Sequence, residues 1–349
     1  MDIQTIINAK SPEEVFGKVA DLATLKKEFR RLSILVHPDK NDGSVIAEQA
    51  FIRLVPLMEQ AEYKMKNGTY GNPHAMPNSI NIKSKRGEYY VVDLIKEGDL
   101  ANVYCALNKN NLPVTVKVIR SPINNDLGKS EVSILRLIDE ANKGLPALGH
   151  LPRLEDSFML KEGSIQKNVN VFKGMDKHEG WHTVETIIQQ NPDGIDLRDA
   201  AWMFNRLLGG ILMAHQAGIV HAAIVPSHIL LHLPSHQGVL IDWSYAVKTG
   251  SPAKAVSPEI ERFIPPEVKK KEPLTFGTDL YMATKVLLEL VGGENNLPAH
   301  PPSVRGLFRA CQLAPNRRIS DVNYVYDEFS KLLQILYGPR QFRPFTLKG

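Results

Sequence analysis

The chain has 349 residues, 43% of them hydrophobic, with 42 Lys and Arg against 38 Asp and Glu, a formal charge of +4. That length and apolar content suit a small domain beside a larger one, and the mild charge, without a long Lys/Arg run, excludes a dedicated nucleic-acid arm. Two cysteines, Cys105 and Cys311, are too few for a disulfide framework or a cysteine zinc site, and no run of about eighteen apolar residues marks a leader or a membrane span, so a cytoplasmic protein with no membrane partner is expected.

The first predicted element is an amphipathic helix. Leu25, Phe29, Leu32 and Val36 recur at the i, i+4, i+7, i+11 spacing of one face, with Lys26, Lys27, Arg30 and Arg31 on the other side. Pro38 biases His37 out of the helical region and ends the helix. A second helix begins near Ser44, with Ile46, Ala50, Leu54, Leu57 and Ala61 inward. Pro56 lies inside it, lacks a backbone donor, and is expected to kink or shorten it. His37, Pro38 and Asp39 thus occupy a turn between two antiparallel helices.

This stretch, about Ser11 to Tyr70, resembles the J-domain, whose His-Pro-Asp turn and basic preceding helix stimulate ATP hydrolysis by DnaK-type heat-shock chaperones. The resemblance implies such an ATPase as partner. Its acidic surface would meet Lys26, Lys27, Arg30 and Arg31, and its nucleotide-binding lobe and linker would meet His37 and Asp39. No glycine/phenylalanine-rich or cysteine-rich module follows, so a protein client would have to be gathered by the second domain.

Composition breaks at Asn67 to Ser79, where Gly68, Gly71, Pro73 and Pro77 sit among polar residues with no apolar period. Strand-like alternation begins at Tyr89 to Val92 and returns at Val114 to Val118, and helical patterns dominate from about Asp196. The expected plan is α+β: a helical domain over 1–70, a linker over 71–88, a sheet-rich lobe followed by a helical lobe over 89–338, and a tail over 339–349.

Lys96 to Val103 fits the glycine loop of protein kinases only at Gly98 and Val103. Val114-Thr115-Val116-Lys117 follows at the distance of the V-A-I-K strand, and Glu131 lies in a helical stretch suited to the partner glutamate. His221-Ala222-Ala223 to Leu230 then reads as the catalytic loop, and Asp242-Trp243-Ser244 stands at the place of D-F-G. Pro265-Pro266-Glu267 is the A-P-E equivalent, Asp279 opens an apolar helix, and Arg318 closes the series. Over about Tyr89 to Leu336 the chain therefore resembles a protein kinase.

That resemblance implies three losses. The catalytic base becomes Ala223, the lysine that neutralises the transferring phosphate becomes Val225, and the asparagine of the second magnesium becomes His228. Between His221 and His232 there is no Asp or Glu to replace the base. The expectation is a pseudokinase serving as a client-binding or nucleotide-sensing module, with His221, Glu267, Asp279 and Arg318 structural. Gly98, Val103, Lys117, Glu131 and Asp242 leave ATP open, and Asp242 leaves one magnesium open. A divergent ATP-dependent protein kinase, or another nucleotide-using transferase, is the alternative.

Overall fold

A computed structural model describes residues 3–9, 11–37, 40–41, 44–66, 70–71, 80–110, 112–144, 149–175, 180–256 and 260–347. The chain divides into two compact units. One comprises Met1–Asp93, Tyr104–Val114 and Gly174–Gly180; the other comprises Leu94–Val103, Thr115–Lys173 and Trp181–Gly349.

The first unit opens with α1 (Ile3–Asn8), α2 (Pro12–Phe16), α3 (Leu22–Leu35) and α4 (Val45–Lys66). The stripe predicted for α3 is the buried one: Leu25, Leu32 and Val36 are fully enclosed with Ile6, Phe16 and Leu54, and Phe29 packs at their margin. α1, α2 and α3 all pack against α4. Lys64 donates to Glu13 at 2.9 Å, the Tyr70 hydroxyl donates to the Gly17 carbonyl at 2.9 Å, and Arg53 donates to the Ala9 carbonyl at 2.7 Å. These bonds tie α4 and the residues after it to the short leading helices.

Three expectations are corrected here. α4 is not shortened at Pro56 but runs on to Lys66, because Ala50, Leu54, Leu57 and Ala61, all fully buried, hold it on both sides of the missing donor. Ile46 is exposed; the inward stripe starts one residue later, at Ala47. The predicted linker contains a strand, β1 (Asn81–Lys83), which pairs antiparallel with β2 (Glu88–Glu97) and sets the buried Ile82 opposite the buried Tyr89. The Ser84 hydroxyl closes their turn by accepting from the amides of Arg86 and Gly87.

β3 (Ala101–Asn108), β4 (Pro113–Ile119), α5 (Asn125–Ala141), β5 (Leu154–Glu162) and β6 (Ile165–Lys173) follow. The sheet order is β1-β2-β3-β4-β6-β5. After it come β7 (Trp181–Thr183), α6 (Val184–Gln190), α7 (Leu197–Gln216), β8 (Ile219–Val220), β9 (Ile229–His232), β10 (Gln237–Leu240) and β11 (Val247–Lys248). Then follow α8 (Pro266–Lys269), α9 (Phe276–Leu290), α10 (Gly293–Asn296), α11 (Pro302–Cys311) and α12 (Val322–Tyr337). α7 and α9 are apolar on most sides and form the centre of the helical core, as buried helices must. The tail is docked: Arg343 makes a two-point contact with Asp199 at 3.0 Å, and Phe345 and Leu347 lie against the core. Among the described residues no helix is long and apolar enough to cross a membrane.

Candidate functional site

In the helical unit, Asp21 caps α3 by accepting from the Thr24 amide at 2.7 Å. Lys26, Lys27, Arg30 and Arg31 are all exposed on it. Arg31 pairs with Glu28 at 2.6 Å and Lys26 lies 3.6 Å from Glu62; pairs this exposed are weak, screened by solvent and easily broken. Past α3, the Asn41 side chain donates to the carbonyls of Leu35 (2.9 Å) and His37 (3.0 Å), satisfying acceptors that a helix end leaves open. The half-buried His37 ring meets Phe51 edge-on, with centroids 5.9 Å apart. Pro38 and Asp39 lie outside the described residues.

In the larger unit, β4 carries Lys117 and α5 carries Glu131. Leu127, Glu131, Ile134, Leu135 and Ile138 share the buried face of α5, so a helical period places the carboxylate inside. Gly128 lets α5 approach β6, since a Cβ there would fall 2.2 Å from Asn168 Oδ1. Asn170 of β6 then reaches both the Gly128 carbonyl (2.9 Å) and Glu131 Oε2 (3.0 Å).

Lys117 Nζ donates to Glu131 Oε1 at 3.1 Å, to Asp242 Oδ1 at 2.6 Å and to Ser244 Oγ at 2.9 Å. The Trp243 amide also donates to Glu131 Oε1, at 3.1 Å. Burial alone would lower the Lys117 pKa, but Asp242 and Glu131 reverse this and hold it above the ordinary lysine value. Burial likewise pushes the Asp242 carboxyl up, and Lys117 with His228 outweighs it and keeps it well below the usual carboxylate range. Asp242 itself sits in the left-handed region at φ 61, a conformation costing a non-glycine residue about 1–2 kcal/mol that the Lys117 ammonium at its carboxylate offsets.

The stripped loop is walled into the core. Ala223 is fully buried and Val225 is 3% exposed, both within the main hydrophobic cluster. Asp279 holds the loop backbone, accepting from the amides of His221 (2.9 Å) and Ala222 (3.0 Å) and contacting His215 Nε2 at 3.0 Å. His228 Nδ1 faces the Ala223 carbonyl at 2.8 Å, and its Nε2 lies 3.4 Å from Asp242 Oδ2. A carbonyl only accepts, so Nδ1 carries a proton.

His221 is fully buried beneath Trp243. Its Nδ1 accepts from the Ala223 amide at 3.2 Å and its Nε2 donates to the Ile241 carbonyl at 3.1 Å. Burial, opposed by Asp279, pushes its pKa down to about 4 from 6.5. The unfolded imidazole therefore takes up a proton between pH 7 and 5 while the folded one stays neutral, and stability falls on acidification, by about 2 kcal/mol over that span. Urea unfolding at the two pH values is expected to show this loss, and His221→Phe to remove that share of it; an unchanged slope would count against the assignment.

The structure thus gathers Lys117, Glu131, Asp242 and His228 into one cluster. Gly98 is engaged elsewhere: its amide donates to the Ala101 carbonyl at 3.1 Å and its carbonyl accepts from Arg120 at 3.0 Å, closing the hairpin between β2 and β3. Val103 is a half-buried residue of β3. Glu267 and Arg318 form a buried ion pair of their own. Two residues that bond to the cluster escaped sequence reasoning. Ser244 was legible as a hydroxyl beside Asp242 where the kinase pattern has glycine, whereas Asn170 carries no local signal.

Magnesium and ATP do not fit this arrangement as it stands. An ammonium has three protons, and all three of Lys117 are already bonded. Asp242 has a cationic or imidazole neighbour on each oxygen, and magnesium prefers oxygen ligands over the imidazole that His228 offers.

No family model matches the sequence. Over 217 residues, 60% of the chain, it is 26% identical to the probable serine/threonine-protein kinase pknA2 of Bifidobacterium longum (strain NCC 2705). The chain spans only 27% of that relative's length. In structure it is similar to the crystal structure of the BubR1 kinase domain, with a TM-score of 0.58 at 15% identity, covering 78% of this chain and 92% of that one. The chain therefore contains a domain of the protein-kinase fold.

Proposed function

We propose that this chain, with its kinase-like fold, is a non-enzymatic adaptor whose kinase-like domain binds a protein client and whose helical unit recruits a DnaK-type heat-shock ATPase. The observation that carries the reading is the burial of Ala223 and Val225 inside the apolar core, where phosphoryl transfer requires a base and a cation facing the substrate. A general base alone contributes about 10²–10⁴ in rate, and the charge stabilisation at the phosphoryl group is lost with it.

The matched relatives bear on the kinase fold; the co-chaperone role rests on the exposed cations of α3, the turn that Asn41 braces at His37, and the resemblance of the sequence there. The chain is expected to raise the ATPase rate of a DnaK-type chaperone, and His37→Gln to return it to the basal level at unchanged fold. Equal rates with both proteins would overturn the recruiting role.

A divergent kinase is the second reading, favoured by the assembled Lys117, Glu131 and Asp242 and by the likeness to a probable serine/threonine kinase. It requires label to pass from ATP, with magnesium or manganese, to a protein acceptor, and that transfer to vanish in Asp242→Ala.

A further inference from the structure

We propose that the kinase-like domain holds its own cation where a kinase would hold a nucleotide-bound metal: Ser244 and His228 keep Lys117 and Asp242 in a closed pair that excludes Mg·ATP. This inference stands on the ion network alone, and failure of the ATPase test above leaves it untouched.

The network has no slack on any side. Ser244, fully buried, takes the third proton of Lys117; a glycine in its place offers no side-chain acceptor and would leave that proton for a phosphate oxygen. Glu131 cannot turn away to free another, because Asn170 and the Trp243 amide bind its two oxygens. On the far side, His228 is anchored through Nδ1 to the Ala223 carbonyl, which fixes its other nitrogen against Asp242 Oδ2. A magnesium ion needs oxygen ligands at about 2.0–2.1 Å in an octahedron. At this site the carboxylate is already neutralised and the neighbouring ligand position holds nitrogen. Two substitutions, one in each of two separate loops, thus close the same site from opposite directions.

Mg·ATP titrated into the full chain, followed by calorimetry and by thermal shift, is expected to give no saturable binding by the wild type up to about 5 mM. Ser244→Gly/His228→Asn is expected to bind with a Kd of about 0.5 mM or below, a gain of at least about tenfold. Should that variant fail to fold, Ser244→Ala, which removes one acceptor and keeps the Cβ, is expected to shift affinity in the same direction. Saturation of the wild type below the upper concentration, or a folded variant no tighter than wild type, would overturn the proposal.

Discussion

Replacing Arg318 with alanine is expected to cost about 3–5 kcal/mol, the range for leaving one member of a buried ion pair without its partner. Glu267 is 2% exposed, and Arg318 bonds to both of its oxygens. The same guanidinium donates to the Leu313 carbonyl at 2.9 Å and lies over the Tyr281 ring, 4.7 Å from its centroid. With Arg318 gone, the buried carboxylate keeps the Thr278 hydroxyl at 3.1 Å and no countercharge among these contacts. Arg318→Lys keeps the charge but not the planar fork, and should fall between the two. Glu267→Gln/Arg318→Met removes both charges and should recover much of the loss. Urea unfolding of the four proteins compares these losses; an Arg318→Ala variant within about 1 kcal/mol of wild type would sink the assignment of this pair as a structural weld.

The second large effect is expected at Lys117. In a kinase whose lysine faces a phosphate pocket, its replacement removes activity and leaves the fold in place. Here Lys117 is 7% exposed and its ammonium bonds to both Glu131 and Asp242. Lys117→Met would leave the buried Glu131 and the half-buried Asp242 carboxylates without their shared cation, and a loss of about 3–5 kcal/mol is expected. Asp242→Asn placed on that background should restore part of it, since one of the two repelling charges is removed. The pH dependence gives an independent reading. With its folded pKa depressed, Asp242 contributes stability in the wild type that is present above its ordinary value of 3.8 and is lost as pH falls through the folded value. The variant lacks that contribution, so the gap between the two proteins should narrow below about pH 4. A gap independent of pH, or a variant as stable as wild type, would show the pair to be incidental.

What the amino-acid order determined by itself is whatever has a short period or a local motif. The stripe of Leu25, Leu32 and Val36 announces α3, because burial follows the 3.6-residue repeat. The run from Pro113 to Ile119 announces β4, and Asp242-Trp243-Ser244 after a strand announces the turn that carries the cluster. The absence of an acid in the loop at Ala223 is equally a property of the order alone. Where local rules were overruled, packing was the cause. α4 extends past Pro56 because its apolar residues on both sides are enclosed, and β1 forms inside the predicted linker because Ile82 finds Tyr89 across the pair.

Only the tertiary structure decided the state of the site. Lys117 meets Ser244 across 127 positions and Glu131 meets Asn170 across 39, separations at which no periodicity operates. By order alone, Lys117 and Asp242 are groups able to grip a nucleotide in any kinase-like fold. Their actual condition depends on how many protons and lone pairs the neighbours have already taken, and such neighbours are brought together by the packing of α5 on β6 and of the Asp242 turn on α5. A hydrogen-bonding group has a small, fixed capacity. At Lys117 that capacity is filled from within the protein, which separates a retained motif from a retained function.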